Sequence, residues 1–72
     1  MNNSNDLQKE ILNWIQTNPN ANSITRTQLL ANLKNKNFQI DMRNLIDEME
    51  KMNQDNLIQI TKTSVGETYS LV

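Results

Sequence analysis

Cysteine and histidine are both absent from this chain. Without them there is no disulfide staple, no thiolate nucleophile and none of the usual zinc ligands. No cofactor and no metal are expected. Aromatic residues are scarce: one Trp, one Phe and one Tyr. Each falls on an apolar face of the pattern described below, so a platform for stacking single-stranded bases, which needs exposed rings, is disfavoured. No apolar run approaches the ~18 residues that suggest a membrane span. Residues 1–6 are polar and lack the apolar segment of a signal peptide. The expectation is a cytoplasmic protein with no membrane partner. A surplus of positive charge is also missing. The net charge of −1 speaks against the broad basic footprint common to nucleic-acid binders. There is no glycine-rich phosphate loop, no internal repeat and no linker long enough to separate domains. The carboxylates Asp47, Glu48 and Glu50 could in principle serve as acid and base. They lie on an exposed helix in a chain too small for much of a pocket, so catalysis is not expected.

What is present is one domain, residues 1–72, near the lower size limit for unaided folding. Residues 1–4 are expected to be frayed. Asparagine is abundant, at 13 of 72 positions, and no function is drawn from it. Ser4 or Asn5 can cap a helix running to about Thr17, whose buried stripe is Leu7, Ile11, Trp14 and Ile15, widened by Leu12. Asn18-Pro19-Asn20 ends it, because proline cannot extend a helix and restricts the residue before it. Residues 21–23 read as loop, and Ile24 as a strand of one or two residues. Thr25 to Gln28 has the spacing of a capping box for a second helix that buries Leu29, Leu30 and Leu33 and ends near residues 34–37. Phe38 and Ile40 fill the corner to a third helix, capped by Asp41, with Met42, Leu45, Ile46, Met49 and Met52 on its apolar face. Residues 57–61 and 67–72 alternate as strands around Thr63-Ser64-Val65-Gly66, where Gly66 is free to take a positive φ, and Tyr69 and Leu71 share a face. The fold class is α+β: three helices and a small C-terminal antiparallel β-hairpin.

Charge is segregated along the chain. Residues 24–40 carry +3 and residues 41–55 carry −3.

The stretch Met42-Arg43-Asn44-Leu45-Ile46-Asp47-Glu48-Met49-Glu50-Lys51, followed by Leu57-Ile58, resembles the recognition helix and first wing strand of winged helix-turn-helix regulators, most nearly the multiple-antibiotic-resistance regulator type. Ile24-Thr25-x-x-Gln28-Leu29 resembles that family's second helix, and Gly66-Glu67-x-Tyr69-x-Leu71 its returning wing strand. Together these cover about two thirds of the chain. The family usually has a glycine just before the first wing strand, where this chain has Asn53-Gln54-Asp55-Asn56. It also has long flanking helices for dimerisation, for which this chain has no room. The resemblance implies a winged-helix fold and binding to double-stranded DNA, with helix 41–54 in the major groove and hairpin 57–72 as the wing.

The candidate DNA-binding residues follow. Arg43 and Asn44 stand near the third helix's N-terminus, where arginine can read guanine and asparagine adenine. Lys51 shares that outward face. Arg26, Thr27 and Gln28 offer a phosphate seat at the second helix's N-terminus, beside the plainer reading that Thr25 and Gln28 cap it. Lys34 and Lys36 could touch a flanking phosphate or be ordinary surface lysines. Lys62, Thr63 and Ser64 lie on the wing turn. Against this, the face around Arg43, Asp47, Glu50 and Lys51 also reads as a solvated surface laced by Arg43–Asp47 and Asp47–Lys51 pairs, worth only a few tenths of a kcal/mol each. The leading expectation is a small DNA-binding protein, a transcriptional regulator or DNA-maintenance accessory factor, weak as a monomer and helped by a homodimer or a partner. The alternative is a protein-interaction module that offers Asp47, Glu48 and Glu50 to a basic protein.

Overall fold

Helix α1 spans Ser4–Thr17, α2 spans Arg26–Asn35 and α3 spans Met42–Gln54; strands β1 (Ile58–Thr63) and β2 (Gly66–Leu71) close the chain. The computed structural model describes residues 4–72, with side chains from Asp6 onward. The expected fraying of residues 1–3 and the capping by Ser4 or Asn5 side chains lie outside the described residues; Ser4 itself is the first residue of α1. The α+β order expected from the sequence is present.

α1 buries Ile11, Trp14 and Ile15, with Leu7 and Leu12 half-buried at its margins, which is the stripe set by the helical period. It stops before Pro19, and side chains then satisfy its last carbonyls. Thr17 Oγ1 donates to Asn13 O at 2.9 Å and Asn18 Nδ2 donates to Trp14 O at 2.7 Å. α2 contributes Leu29 and Leu33, α3 contributes Leu45, Met49 and Met52, and the hairpin contributes Ile58 and Tyr69. The tilted rings of Trp14 and Tyr69, 6.3 Å apart, join α1 to β2. No polar or charged residue is buried among the described residues, so this core is held by apolar burial.

The two C-terminal caps repeat one device. Asn37 has φ 68° and Asn56 has φ 61°, the left-handed conformation that asparagine tolerates better than most residues. After α2, Phe38 N donates to Leu33 O and Asn37 N to Lys34 O; after α3, Leu57 N donates to Met52 O and Asn56 N to Asn53 O. Both are Schellman motifs, which satisfy carbonyls the helix leaves open. Asn56, in the stretch 53–56 that has no glycine, therefore supplies the left-handed residue before the hairpin. Leu57, expected as the first strand residue, is used by this cap, and β1 begins at Ile58.

The N-termini differ. Asp41 Oδ1 accepts from Asn44 N at 2.8 Å, the expected cap of α3. The capping box expected at Thr25 does not form. Thr25 has helical φ and ψ, and its side chain makes no cap bond; an N-cap normally needs extended φ and ψ. Its hydroxyl turns back to the Asn22 main chain, while Asn22 Oδ1 accepts from Ile24 N at 2.8 Å and Thr25 N at 2.9 Å. Asn22 is thus the residue that opens the turn into α2.

The strand expected at Ile24 is corrected in the same way. The bridge to the hairpin is at Asn22, opposite Thr68, and Ile24 is 72% exposed. Ala21 O accepts from Tyr69 N and Ser23 N donates to Glu67 O, each at 2.9 Å, so residues 21–23 lie along β2 as an isolated bridge beside the two-stranded sheet. In the hairpin, Thr63 pairs with Gly66 across Ser64-Val65, Lys62 with Glu67, Ile60 with Tyr69 and Ile58 with Leu71. Tyr69 is buried, but Leu71 on the same face is exposed. Gly66 has φ 143°, and a Cβ there would collide with Ser23 Oγ.

Candidate nucleic-acid interface

The side chain of Arg26 gathers three elements at one end of the molecule. From the first turn of α2 its Nε donates to Met42 Sδ, at the start of α3, at 3.3 Å. Its Nη1 donates to the Tyr69 hydroxyl on β2 and lies 3.6 Å from Glu67 Oε1. Tyr69 O–H in turn donates to Glu67 Oε1 at 3.1 Å. Lys62 Nζ, from β1, reaches Glu67 Oε2 at 3.4 Å. The first turns of α2 and α3 and the hairpin turn are therefore neighbours. Ser23 fixes the arrangement through the main chain: its Oγ accepts from Glu67 N at 3.1 Å, and its N–H is held by Glu67 O.

Most of the residues singled out from the sequence lie on the same first turns and hairpin turn. Thr27 and Gln28 are exposed on the first turn of α2, and Thr27 Oγ1 donates to Ile24 O at 3.1 Å. Arg43 and Asn44 are exposed on the first turn of α3. Thr63 Oγ1 donates to Gly66 O at 3.1 Å and accepts from Val65 N, which shapes the turn; Ser64 is exposed at its tip. Lys51 does not join them. It lies eight residues along α3 from Arg43, about 12 Å at 1.5 Å per residue. Lys36 is held by Glu10 at 2.7 Å, bridging α2 to α1.

Arg26, expected as part of a phosphate seat, is turned into the fold and its side chain is only 15% exposed. Lys62 shares Glu67 with it. Of the three cations at this end, Arg43 alone has no anionic partner among the described residues. The expected Arg43–Asp47 and Asp47–Lys51 pairs are not closed among the described residues. The outward face of α3 thus keeps Asp47 and Glu50 exposed, while Gln8 Nε2 donates to Glu48 Oε2 at 2.8 Å and ties α1 to α3.

Glu67 and Tyr69 are the residues that sequence reasoning passed over. A clue was present: a two-residue turn at Ser64-Val65 sets Lys62 opposite Glu67, and Tyr69 lies on the same face two residues on. The approach of Arg26 is a tertiary contact with no local signal. At Tyr69, burial pushes the phenol pKa above its ordinary value of 10.0; the Arg26 guanidinium pulls it down and the Glu67 carboxylate adds to the rise.

Ile24 and Val65 flank the Ser23–Gly66 contact and are 72% and 82% exposed, so this end is partly apolar. Elsewhere, α1 and α2 enclose a cleft of about 230 Å³ over Trp14, Leu29 and Leu33, with asparagine amides on its rim. That is below the roughly 300–1,000 Å³ of small-molecule sites. Among the described residues no group of His, Cys, Asp or Glu is placed to hold a metal. Among the described residues no helix is long and apolar enough to cross a membrane. No protein family, curated protein or solved structure matches the chain.

Proposed function

We propose that this chain is a small winged-helix DNA-binding domain, a cytoplasmic regulator or DNA-maintenance accessory factor. The observation that carries the reading is the convergence at Arg26, which brings the first turns of α2 and α3 beside the hairpin turn. Those are the three parts with which such a domain meets a duplex. Arg43 and Asn44 face base edges in the major groove. Thr27 and Gln28 sit by one phosphate run with their side chains, the first-turn N–H groups of α2 being taken by the carbonyls of Asn22, Ile24 and Thr25; Thr63 and Ser64 form the wing by another, beside Lys62, which Glu67 holds. Arg26 supports this surface from behind.

With Arg43 the one unanswered cation of this end among the described residues, binding by a monomer is weak and modestly salt-dependent, with a slope of about −0.9 for each phosphate neutralised. A second copy or a partner protein adds contacts. The test is a titration of labelled duplex at low salt with the native chain and Arg43→Ala. Binding at tens of micromolar, weakened in the variant, supports the reading. No binding in that range, or binding indifferent to Arg43, rejects it.

A second reading is favoured by the unanswered carboxylates Asp47 and Glu50 on the exposed face of α3. On it, the same fold binds a basic protein through that face. Capture of a basic partner that is lost on Asp47→Lys supports this reading, and indifference to the change removes it.

A further inference from the structure

Glu67 stands in an unusual place for a fold that meets a polyanion. Its carboxylate accepts from Tyr69, receives the guanidinium of Arg26 on one oxygen and the ammonium of Lys62 on the other. Both cations belong to the end where α2, α3 and the hairpin converge. An anion held by one arginine, one lysine and one hydroxyl is the pattern of a phosphate site. Here the anion is part of the chain, and main-chain bonds with Ser23 hold it in position.

We propose that Glu67 is a built-in phosphate stand-in, which occupies an Arg26–Lys62 anion site and keeps the affinity for duplex phosphates low. The inference rests on the DNA reading and deepens it. A phosphodiester of the backbone is the competing ligand. The single charge of Glu67 answers one of the two cations of this site, and its removal leaves one more positive charge for a phosphate.

The experiment compares the native chain, Glu67→Gln and the double variant Glu67→Gln/Lys62→Gln, with labelled duplex over a range of salt. Thermal melting by circular dichroism checks the fold. Glutamine keeps an acceptor for Tyr69 O–H, and the Ser23 bonds to the Glu67 main chain are untouched. The expected result for Glu67→Gln is tighter binding, with a salt slope steeper by about 0.9 for each phosphate gained, or roughly eightfold in affinity per tenfold dilution of salt. The double variant gives back the share of Lys62. Equal slopes for native chain and Glu67→Gln, both binding, overturn the inference and leave the DNA reading standing. Failure of both to bind overturns the two together. Binding by the variant alone supports the inference. Should Glu67→Gln not fold, Glu67→Ala, which also leaves the Ser23 bonds to the main chain in place, is compared in the same way. A slope steeper than that of the native chain supports the inference, and an equal slope overturns it.

Discussion

The helical core and the junction beneath the hairpin are held by different forces. In the core, Ile11, Leu45 and Met52 have no exposed surface, and no polar group is buried with them among the described residues. At the junction, Arg26, Tyr69, Glu67 and Lys62 form a chain of polar contacts open to water at Lys62. The core is non-directional: it asks for volume and an apolar face at the right period. The junction is directional: it fixes where the first turns of α2 and α3 stand relative to the hairpin. Stability resides in the first and the geometry of the candidate interface in the second, so damage to the two regions should separate in experiment.

The largest effect is expected in the core. Leu45 is 0% exposed on the buried face of α3, and Leu45→Ala removes its transfer energy and leaves a cavity. The cost should be about 2–5 kcal/mol, a large fraction of what a domain of this size has. Urea unfolding measures it. A loss well under 1 kcal/mol would mean that the core is not the main source of stability. Gly66→Ala probes the junction through its backbone. The φ of 143° disfavours any side chain, and the new Cβ displaces the Ser23 hydroxyl that holds Glu67 N–H. The strain and the lost bond should cost about 1–3 kcal/mol. If the comparison holds, the amide signals of residues 21–25 and 66–69 shift in this variant while those of α1 stay in place. Shifts spread evenly over the chain would break it.

How much of this was legible in the sequence depends on how local each signal is. The core faces of α1 and α3 follow from periodicity, and the Asp41 cap from its place before Met42. Pro19 marks the end of α1, and Gly66 the hairpin turn. The start of α2 misled because Thr25 and Gln28 have capping-box spacing, whereas Asn22, three residues earlier, takes the turn through its side chain and pairs with Thr68. That pairing is set by the hairpin, 46 residues away. The left-handed Asn37 and Asn56 were hidden by the abundance of asparagine, since neither position looks different from eleven others. The candidate site divides the same way. Arg43, Asn44 and Ser64 are exposed where the pattern put them. The inward turn of Arg26 has no signal in the sequence because its partners come from β2 and α3, which no local rule connects to it.

The smallest expected effect sharpens the comparison most, because it depends on pH. Tyr69→Phe keeps the ring in the core and removes the hydroxyl that donates to Glu67 and accepts from Arg26. Near neutral pH this should cost about 1 kcal/mol, the net worth of such hydrogen bonds. The sign of the pH dependence follows from burial, which raises the phenol pKa in the folded chain above 10.0. The unfolded chain loses its proton first. The native protein therefore keeps the contribution of this group fully below pH 10 and loses it as the pH climbs through the higher folded value. The Phe variant has no such group, so its deficit should shrink above pH 10 while staying constant below it. Tyr69 is the only tyrosine of the chain, and ultraviolet difference absorbance follows its ionisation directly beside the unfolding curves. A deficit that is the same on both sides of that pH, with Tyr69 ionising at its ordinary value, would show that the hydroxyl is solvated. The junction would then be an open surface with no fixed geometry, and the contrast with the core would lie in burial alone.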